Sequence, residues 1–367
     1  MNASHVVLYR YAIPFTEPIT VKGQRLVLRE GIILALKSVD GKHIAYGEIA
    51  PLPRLHQETL QSAEAQLVEL FSKREALTPG MLPKKLYPSV RTGLEMAMIN
   101  REAAISGTLP SFSENEHVAK QIPLNALLFG DTPLVMQRAE KYFDLGYRTF
   151  KLKVSANSIT NSINSIRELH RTFGGTVELR LDANQSLSFD EAISFAKQIP
   201  TGSVAYIEEP LQQAERIGEF YAKTGIYSAL DETLWQKPEL LATIPEASLA
   251  ALILKPNRLG GISAALHFAR YAREKNLLAV FSSAFESGIS LSFYTLLAAS
   301  TATKPAACGL DTYRYLQHDL LETPFEAENA HLDPQKLYRN GVKVRLRSLR
   351  RTSWREELSP VTHSVAE

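Results

Sequence analysis

The sequence contains little cysteine and no long hydrophobic run. Its one cysteine, Cys308, cannot form a disulfide within the chain and is typical of a reducing compartment, so we expect a cytoplasmic protein. No apolar stretch approaches the roughly 20 residues that cross a membrane. The first residues also lack the basic and then apolar pattern of a signal peptide. We therefore expect no contact with a membrane.

The sequence also lacks a large excess of positive or of negative residues. Lysine and arginine number 41 against 39 aspartate and glutamate residues, which leaves a net charge of +2. Such a balance supplies no strong field for nucleic acid or for an anionic membrane surface. The 367 residues, 45% of them hydrophobic, are enough for a large core or for two domains. We expect a monomer or a homo-oligomer that acts on a small molecule.

A repeating pattern of strand and helix occupies the middle of the chain. Five short apolar runs there each end in charged residues. They are TFKLKV (149–154), VELRLDAN (177–184), VAYIEEP (204–210), YSALDET (227–233) and ALILKPN (251–257). The segments between them have the apolar spacing of helices, which predicts successive parallel βα units.

The charged ends of these runs recur at the interval of one βα unit. Lys153 and Asp182 are 29 residues apart, and the next intervals are 26, 23 and 24 residues, to Glu208, Asp231 and Lys255. Each charge therefore falls at the C-terminal end of a strand, where a (β/α)8 barrel builds its active site. The sequence predicts an α/β barrel in which two basic strand ends flank three acidic ones.

The N-terminal region predicts a separate domain. Residues 1–110 hold about three strand candidates and then two helices, at 58–77 and 89–107, which indicates an α+β domain. The polar segment 111–121 resembles a linker. The barrel is expected over 120–313, with IPLNALLFG as its first strand.

The C-terminal part completes the barrel and then loses its regular pattern. A seventh strand is expected at 277–287 and a short eighth strand at 306–313. Residues 314–343 carry scattered apolar and turn residues, and we expect them to pack back on the N-terminal domain. The polar segment 344–367 is expected to be a solvated tail; because 345–355 is rich in arginine, the alternative is a weak site for anions.

The segment KLK carries two lysines on one face of a strand. Lys151 and Lys153 are two residues apart, so both side chains are expected to point into the barrel mouth. Two neighbouring ammonium groups repel, which lowers the pKa of one of them and makes a general base near neutral pH. The alternative is a basic edge on the protein surface.

Three acidic strand ends follow, in LRLDAN, IEEP and ALDET. Three carboxylates that converge repel one another unless a cation lies between them. Mg²⁺ accepts carboxylate and water oxygens, so a magnesium site is predicted. For any single acid the alternative is a helix N-cap or a loop charge.

Strand alternation orients some of these side chains but not all. It places Arg180, Asp182 and Asn184 on one face of their strand. It leaves two pairs unresolved, Glu208 with Glu209 and Asp231 with Glu232.

The last two strand ends add a lysine and two hydroxyls. Lys255 follows three apolar residues, which makes it an inward-facing charge. It is expected either to face Lys153 across the metal or to form an ion pair with one of the acids. Ser282 and Ser283, in SSAFES, suit a substrate carboxylate.

Taken together, the motifs KLK, DAN, IEEP, LDET and LKPN resemble those of the enolase superfamily, in its muconate-lactonising subgroup. The resemblance implies a (β/α)7β TIM-like barrel with an N-terminal α+β capping domain. It implies Lys153 as acid and base, with Lys255 as the opposite lysine. It also implies Mg²⁺, or Mn²⁺ in its place, on three ligands, which selects one acid from each unresolved pair: Asp182, Glu208 and Asp231.

Further stretches resemble the o-succinylbenzoate synthase family within that subgroup. They are REGIILAL (29–36), YGEIAPLPRLHQET (46–59), SVRTGLEMA (89–97), IPLNALL and FSSAFES (281–287). The resemblance implies a carbon–oxygen lyase of menaquinone or phylloquinone biosynthesis, which dehydrates 2-succinyl-6-hydroxy-2,4-cyclohexadiene-1-carboxylate to 2-succinylbenzoate. It also implies a lid formed by the loop at 16–24 and by residues 50–57.

The remaining expectations concern the substrate and the rival functions. We expect the carboxylate substrate to contact a set of polar strand-end residues: Lys151, Arg180, Asn184, Ser282 and Ser283. Relatives in the subgroup racemise N-succinylamino acids or epimerise dipeptides, so these reactions are the alternatives on the same scaffold. A barrel that only binds is disfavoured, because both lysine strands and all three acids are intact.

Overall fold

The N-terminal region forms an antiparallel sheet with two helices packed on it. The computed structural model describes residues 3–38, 40–73, 82–112, 118–301 and 305–357. The predicted meander is confirmed as three strands: β1 (Ala3–Val21), β2 (Gln24–Ser38) and β3 (Ile44–Ile49). The helices are α1 (Leu60–Ser72) and α2 (Pro88–Ser106).

Local sequence explains where these two helices begin and end. Thr59 and Ser62 form a capping box at the start of α1, each side chain accepting from the other's backbone N–H. Gly107 ends α2 with a φ of 70°, a left-handed conformation that glycine adopts without strain. The predicted first helix, 58–77, is longer than α1, and its last residues lie outside the described ranges.

The expected loop at 16–24 is the tip of a long hairpin instead. Lys22 and Gly23 join β1 to β2 with φ values of 43° and 80°, the positive values of a type I′ turn. The pairing shifts between Pro14 and Ile19, so the tip is offset from the rest of the sheet. Asn-Gly or Asp-Gly is the usual sequence signal for this turn, so a Lys-Gly pair does not predict it.

The barrel consists of parallel strands that alternate with helices. A two-residue strand, β4 (Ile122–Pro123), precedes it. The sheet then contains, in spatial order as in sequence, β5 (Asn125–Leu128), β6 (Thr149–Lys153), β7 (Glu178–Asp182), β8 (Tyr206–Glu208), β9 (Ser228–Leu230), β10 (Leu249–Leu254) and β11 (Leu278–Phe281). The helices are α3 (Thr132–Asp144), α4 (Ile159–Phe173), α5 (Phe189–Ala196), α6 (Ile217–Thr224), α7 (Thr233–Gln236), α8 (Pro256–Leu259), α9 (Ile262–Glu274) and α10 (Gly288–Thr301).

A short eighth segment joins the first and last barrel strands. Cys308 pairs in parallel with Leu124, and Gly309 pairs in parallel with Ser282. The Asn125 amide donates to the Cys308 carbonyl at 3.0 Å. The eighth strand that we expected over 306–313 is therefore reduced to single bridges on either side, and the fold is the predicted α/β barrel with an antiparallel sheet domain before it.

Residues after the barrel contact both parts of the protein. Leu316 pairs with Phe15 of β1, and the Tyr338 hydroxyl donates to Asn100 of α2 at 2.8 Å. In the same stretch β12 (His331–Leu332) pairs with β4, and α11 (Pro334–Gly341) packs on α10. The expectation that 314–343 packs on the N-terminal domain thus covers only some of its contacts.

The expected solvated tail is wrong for part of its length. Residues 350–357 form β13 (Arg350–Glu357), which pairs antiparallel with β1 and makes the sheet order β13-β1-β2-β3. An edge strand is held by backbone hydrogen bonds and often carries charged side chains, so its polar composition resembles that of a tail. Residues 358–367 lie outside the described part of the chain.

Two buried carboxylates of the N-terminal domain bind the first turns of barrel helices. Glu48 of β3 accepts from the Ser287 amide at 3.0 Å and from the Ser290 amide at 3.1 Å, at the start of α10. Glu95 of α2 accepts from the Ser263 amide at 2.9 Å, at the start of α9. Helix N-termini favour negative charge, so these contacts fix the domain over the barrel mouth. Within the described residues, no helix has the length and apolar character of a membrane span.

Candidate active site

The two lysines of β6 lie in the barrel mouth, as their spacing predicts. Lys153 Nζ is 2.6 Å from both Asp182 Oδ2 and Asn184 Oδ1, and its side chain is 38% exposed. Lys151 lies deeper: its Nζ is 2.8 Å from Asp182 Oδ2 and 2.7 Å from both oxygens of Glu208. Lys153 is therefore the more accessible of the two lysines.

The lowered pKa that we expected for one lysine of this pair does not occur at Lys151. Burial by itself favours the neutral amine, but the carboxylates of Asp182, Glu208 and Asp231 outweigh it and raise the pKa of Lys151 well above its usual value. Lys151 is thus a fixed positive charge beneath the mouth. Attraction to the neighbouring carboxylates, rather than repulsion between the two lysines, sets the pKa of Lys151.

The three predicted acidic strand ends lie next to one another. Asp182 and Glu208 are direct neighbours in the register of β7 and β8. Asp231 follows β9 and is fully buried, with one carboxylate oxygen bound by Lys255. Burial raises the pKa of Asp231 despite Lys255, whereas Lys151 and Lys153 overcome burial and hold the pKa of Asp182 well below its usual value.

The structure separates the two glutamates that alternation could not. Glu208 faces Lys151, while Glu209 has a φ of 45° and turns away from the lysines. Glu209 Oε1 accepts from the amides of Asp231 and Thr233, each at 2.7 Å, and burial raises the pKa of Glu209 to about 7. Glu209 therefore fixes the end of the next strand and leaves Glu208 facing the site.

A similar division holds for Asp231 and Glu232. Asp231 binds Lys255, whereas Glu232 Oε1 accepts from the Asn184 side-chain amide at 3.1 Å. Lys255 Nζ also lies 5.6 Å from the centre of the Trp235 ring. Both expected roles of Lys255 are thus compatible with its place, because it is paired with an acid and lies on the side of the acids opposite Lys153.

The carboxylate oxygens of the three acids suit a hard cation, although lysine ammonium groups contact them in this structure. Among the described residues, no three His, Cys, Asp or Glu side chains are grouped as a ready-made metal site. Yet the Lys151 ammonium already bridges Asp182 and Glu208, which shows that one positive charge fits between them. Asp231 Oδ1 is buried and has no hydrogen-bond partner within the described residues. Three adjacent carboxylates with one orphan oxygen fit the all-oxygen preference of Mg²⁺.

The other predicted substrate contacts are partly engaged by the protein itself. Arg180 is buried and donates to Glu178 at 2.6 Å and to the Ala307 carbonyl at 2.7 Å. The hydroxyls of Ser282 and Ser283 both donate to the Gly309 carbonyl, at 3.4 and 3.1 Å. These three side chains link the closing segment to its neighbours, and their contact with substrate stays a prediction.

The sequence reasoning missed a polar network on the domain side of the mouth. His56 accepts from the Leu52 amide at 2.9 Å, and its other ring nitrogen lies 3.1 Å from the Asn257 carbonyl, to which it therefore donates as a neutral ring. The Asn257 side chain in turn donates to Glu286, which is buried and whose pKa burial raises to about 7. These residues stand inside the motifs PRLHQET, LKPN and FSSAFES, but only the fold brings them together.

Comparison with known proteins identifies the family. The chain matches the family model "Enolase C-terminal domain-like" over residues 134–346 and "MenC, N-terminal domain" over residues 3–101. It is 30% identical to the o-succinylbenzoate synthase of Yersinia enterocolitica, with 84% of this chain and 90% of that protein covered. It is 35% identical to Protein PHYLLO, chloroplastic, of Arabidopsis thaliana over 80% of this chain, which spans 20% of that longer protein.

A solved structure agrees on the fold. A member of the enolase superfamily from Roseovarius nubinhibens, complexed with magnesium, superposes with a TM-score of 0.82 at 16% identity, covering 97% of this chain and 99% of that one. At this identity the likeness concerns the fold. Together with the two family models and the Yersinia relative, the site geometry leads to one conclusion: this chain belongs to the enolase superfamily and, within it, to the o-succinylbenzoate synthases.

Proposed function

We propose that the chain dehydrates 2-succinyl-6-hydroxy-2,4-cyclohexadiene-1-carboxylate to 2-succinylbenzoate, the o-succinylbenzoate synthase reaction of menaquinone and phylloquinone biosynthesis. The observation that supports it is the pair of lysines, Lys153 and Lys255, on either side of three adjacent carboxylates at the mouth of the barrel. The substrate would be a soluble carboxylate met in the cytoplasm, and the single buried cysteine is compatible with that reducing compartment.

Asp182, Glu208 and Asp231 would hold Mg²⁺, with Mn²⁺ as a substitute. When bound, the cation supplies positive charge beside the substrate carboxylate, where negative charge builds up as the neighbouring proton leaves. The Roseovarius structure, which contains magnesium in the same fold, supports this part of the proposal. With the cation bound, these carboxylates would contact it in place of lysine ammonium groups, and Lys151 would remain as a positive charge below them.

Lys153 would perform both proton transfers. Its neutral amine takes the proton from the carbon next to the carboxylate, and the C–H electron pair moves toward the carboxylate. The ring C–O bond then breaks, and the hydroxyl leaves with the proton that Lys153 returns, as water. The half-exposed position of Lys153 at the mouth suits a group that meets substrate directly, and Asp182 and Asn184 hold its nitrogen in place.

Lys255 would contribute charge without exchanging a proton. Burial disfavours its ammonium form, but Asp231 and Glu208 outweigh burial and raise the pKa of Lys255. A permanently protonated amine on the far side of the ring stabilises the electron-rich intermediate. The contacts of the substrate with Lys151, Arg180, Asn184, Ser282 and Ser283 belong to the same proposal.

The test follows aromatisation of the cyclohexadiene substrate by ultraviolet absorbance. The purified chain should turn the substrate over, excess chelator should abolish turnover, and added Mg²⁺ should restore it. Full turnover in excess chelator would contradict the metal assignment.

Racemisation of an N-succinylamino acid is the second candidate, because a lysine stands on each side of the site. It requires both lysines to exchange protons with the substrate. Incubation in D₂O separates the two functions. Rapid α-proton exchange from both enantiomers, with the cyclohexadiene left unchanged, would make the chain a racemase.

A further inference from the structure

Arg29 is a fully buried arginine that binds backbone carbonyls in three different segments. It lies on β2, and its side chain is 1% exposed. Its Nη1 donates to the Glu30 carbonyl at 2.8 Å and to the Pro51 carbonyl at 3.2 Å, and its Nη2 donates to the Ala50 carbonyl. Its Nε donates across the domain boundary to the Phe285 carbonyl at 2.9 Å. One side chain thus joins β2, the segment after β3 and the end of the seventh barrel strand.

No carboxylate forms an ion pair with Arg29 among the described residues. Its hydrogen bonds go to backbone carbonyls instead, with all three guanidinium nitrogens in use. An arginine that only neutralised a buried acid would need one such acid in contact. The fixed fork of a guanidinium is suited to holding several acceptors at set distances, which a flexible lysine cannot do.

The acceptor in the barrel is a residue with an unusual backbone. Phe285 has a φ of 62°, in the left-handed region that side-chain-bearing residues rarely adopt. Its ring makes edge contacts, each with a centroid distance of 5.7 Å, with Phe15 of β1 and with Tyr315 after the barrel. Phe285 lies next to Glu286 and two residues after Ser283, at the strand end expected to hold substrate. Its conformation therefore needs an outside contact to maintain it.

We propose that Arg29 is a positioning residue: through the Phe285 carbonyl it holds the seventh strand end in its left-handed turn and sets the distance between that strand end and the segment at 50–51. The Phe285 ring, held between Phe15 and Tyr315, then forms one side of the substrate site, away from the lysines. Arg29 touches no reacting atom. Loss of the Arg29 side chain lets the Phe285 ring move and weakens substrate binding. The proton transfers at Lys153 are unaffected.

The first test compares kinetic constants, and this part rests on the proposed function. Arg29→Met keeps the length of the side chain and removes all its donors. Loss of binding energy that is shared by ground state and transition state raises KM, so we expect KM to rise about tenfold with kcat changed by less than about threefold. Lys37→Met, which removes an exposed cation from the same strand, is the control and should change neither constant. An unchanged KM, or equal falls in kcat and kcat/KM, overturns the proposal.

A second variant tests whether Arg29 acts through Phe285. Phe285→Gly removes the ring and adopts the left-handed conformation without strain. If Arg29 acts by holding Phe285, the rise in KM caused by Arg29→Met should shrink to less than about twofold in the Phe285→Gly background, because contacting residues couple in a double-mutant cycle. Additive effects overturn the proposal. If Arg29→Met does not fold, Arg29→Lys replaces it in the same cycle.

A third measurement does not depend on activity. The amides of Ala284 and Ser287 are hydrogen-bonded within this strand end and to Glu48. Hydrogen exchange over 282–290 should quicken in Arg29→Met and stay unchanged in Lys37→Met. If exchange quickens while the wild type does not turn over the cyclohexadiene, the positioning role stands and the proposed function fails. If the wild type is active and exchange is unchanged, the positioning role fails alone.

Discussion

Two groups of buried carboxylates differ in what binds them. The strand-end set, Asp182, Glu208 and Asp231, is bound chiefly by lysine ammonium groups. The frame set, Glu48, Glu95 and Glu209, is bound by backbone amides at the starts of helices and at a strand end. Backbone amides are fixed in place by secondary structure, whereas side-chain ammonium groups can move. The strand-end carboxylates can therefore change partners during a reaction, while the frame carboxylates cannot.

The same contrast separates chemistry from architecture. A residue of the strand-end set, or a lysine bound to it, should affect turnover and metal binding more than stability. A residue of the frame set should affect stability first, because its loss leaves buried amides without an acceptor. The predictions below test this division, beginning with the largest expected effect.

The largest effect is expected for Lys153→Ala. General base catalysis contributes roughly 10²–10⁴-fold, and no other amine among the described residues has the half-exposed place of Lys153 beside Asp182, so turnover should fall by at least about 100-fold. The midpoint of thermal unfolding should stay close to that of the wild type. Stopped-flow and steady-state absorbance assays measure turnover, and calorimetry measures the midpoint of thermal unfolding. Lys141→Ala, an exposed lysine on α3, is the matched control. Retention of more than about a tenth of the wild-type rate would remove Lys153 from the mechanism.

The adjacent pair Glu208 and Glu209 gives the next effect. Glu208→Gln removes the charge of a proposed metal ligand and should weaken Mg²⁺ binding by about tenfold or more, since Mg²⁺ prefers carboxylate oxygens. Glu209→Gln should leave Mg²⁺ affinity closer to the wild type and lower the free energy of unfolding instead, because a side-chain amide then faces the amides of Asp231 and Thr233. Isothermal titration with Mg²⁺ and denaturant unfolding check both variants. The reverse result would exchange the roles of the two glutamates.

How far the sequence predicts the site can be judged from these same residues. The interval of one βα unit is enough to find the strand ends, because parallel strands in a barrel all end at one rim. It cannot distinguish Glu208 from Glu209, since alternation holds only while the backbone is extended and Glu209 leaves the strand with a positive φ. The interval also does not predict the raised pKa of Lys151. The distance from that lysine to Glu208 is set by the neighbouring strands rather than by the strand that carries Lys151.

The parts of the fold that were missed are held by backbone contacts. β13 is a polar edge strand that leaves no hydrophobic pattern. The eighth strand was expected over 306–313, and only its extent was wrong, because single bridges at 308–309 hold it. Arg29 and Glu48 have the same character: both are charged residues in strands, and each has a main-chain partner more than 200 residues away. Long-range contacts of side chain to backbone leave no local signature.

A smaller effect, on stability alone, is expected for Glu48→Gln. The wild-type carboxylate accepts from the Ser287 and Ser290 amides and from the Ser287 hydroxyl at the start of α10. The amide side chain keeps one acceptor oxygen and loses the charge that favours a helix N-terminus, so the free energy of unfolding should fall by about 1–3 kcal/mol. Denaturant unfolding measures it. Because Glu48 touches neither lysine, kcat should change by less than about threefold in the protein that remains folded. A larger loss of kcat than of stability would place Glu48 with the strand-end set.

The last prediction concerns how stability changes with pH. Burial, together with the charges of Arg258 and Arg29, lowers the pKa of His56 to about 3, so the folded protein keeps this ring neutral. The unfolded chain protonates it near pH 6.5, and therefore binds more protons than the folded state between about pH 6.5 and pH 3. Stability must then fall as the pH drops through that window, by up to about 1.4 kcal/mol for each pH unit, and His56 contributes no pH dependence well above it.

Replacement of the ring isolates this contribution from other groups. Glu286 and Glu209, whose raised pKa values lie near 7, oppose the trend, because the folded state binds more protons than the unfolded state as these carboxyls titrate. His56→Gln supplies an amide in place of the ring and does not titrate, so subtraction of its unfolding free energy from that of the wild type cancels the carboxyls. The difference should favour the wild type at pH 7.5 and decrease steadily from pH 6.5 to pH 4.5. A difference that stays constant over this range would mean that His56 is protonated as easily in the folded protein as in the unfolded chain, and that its contacts with Leu52 and Asn257 do not require a neutral ring.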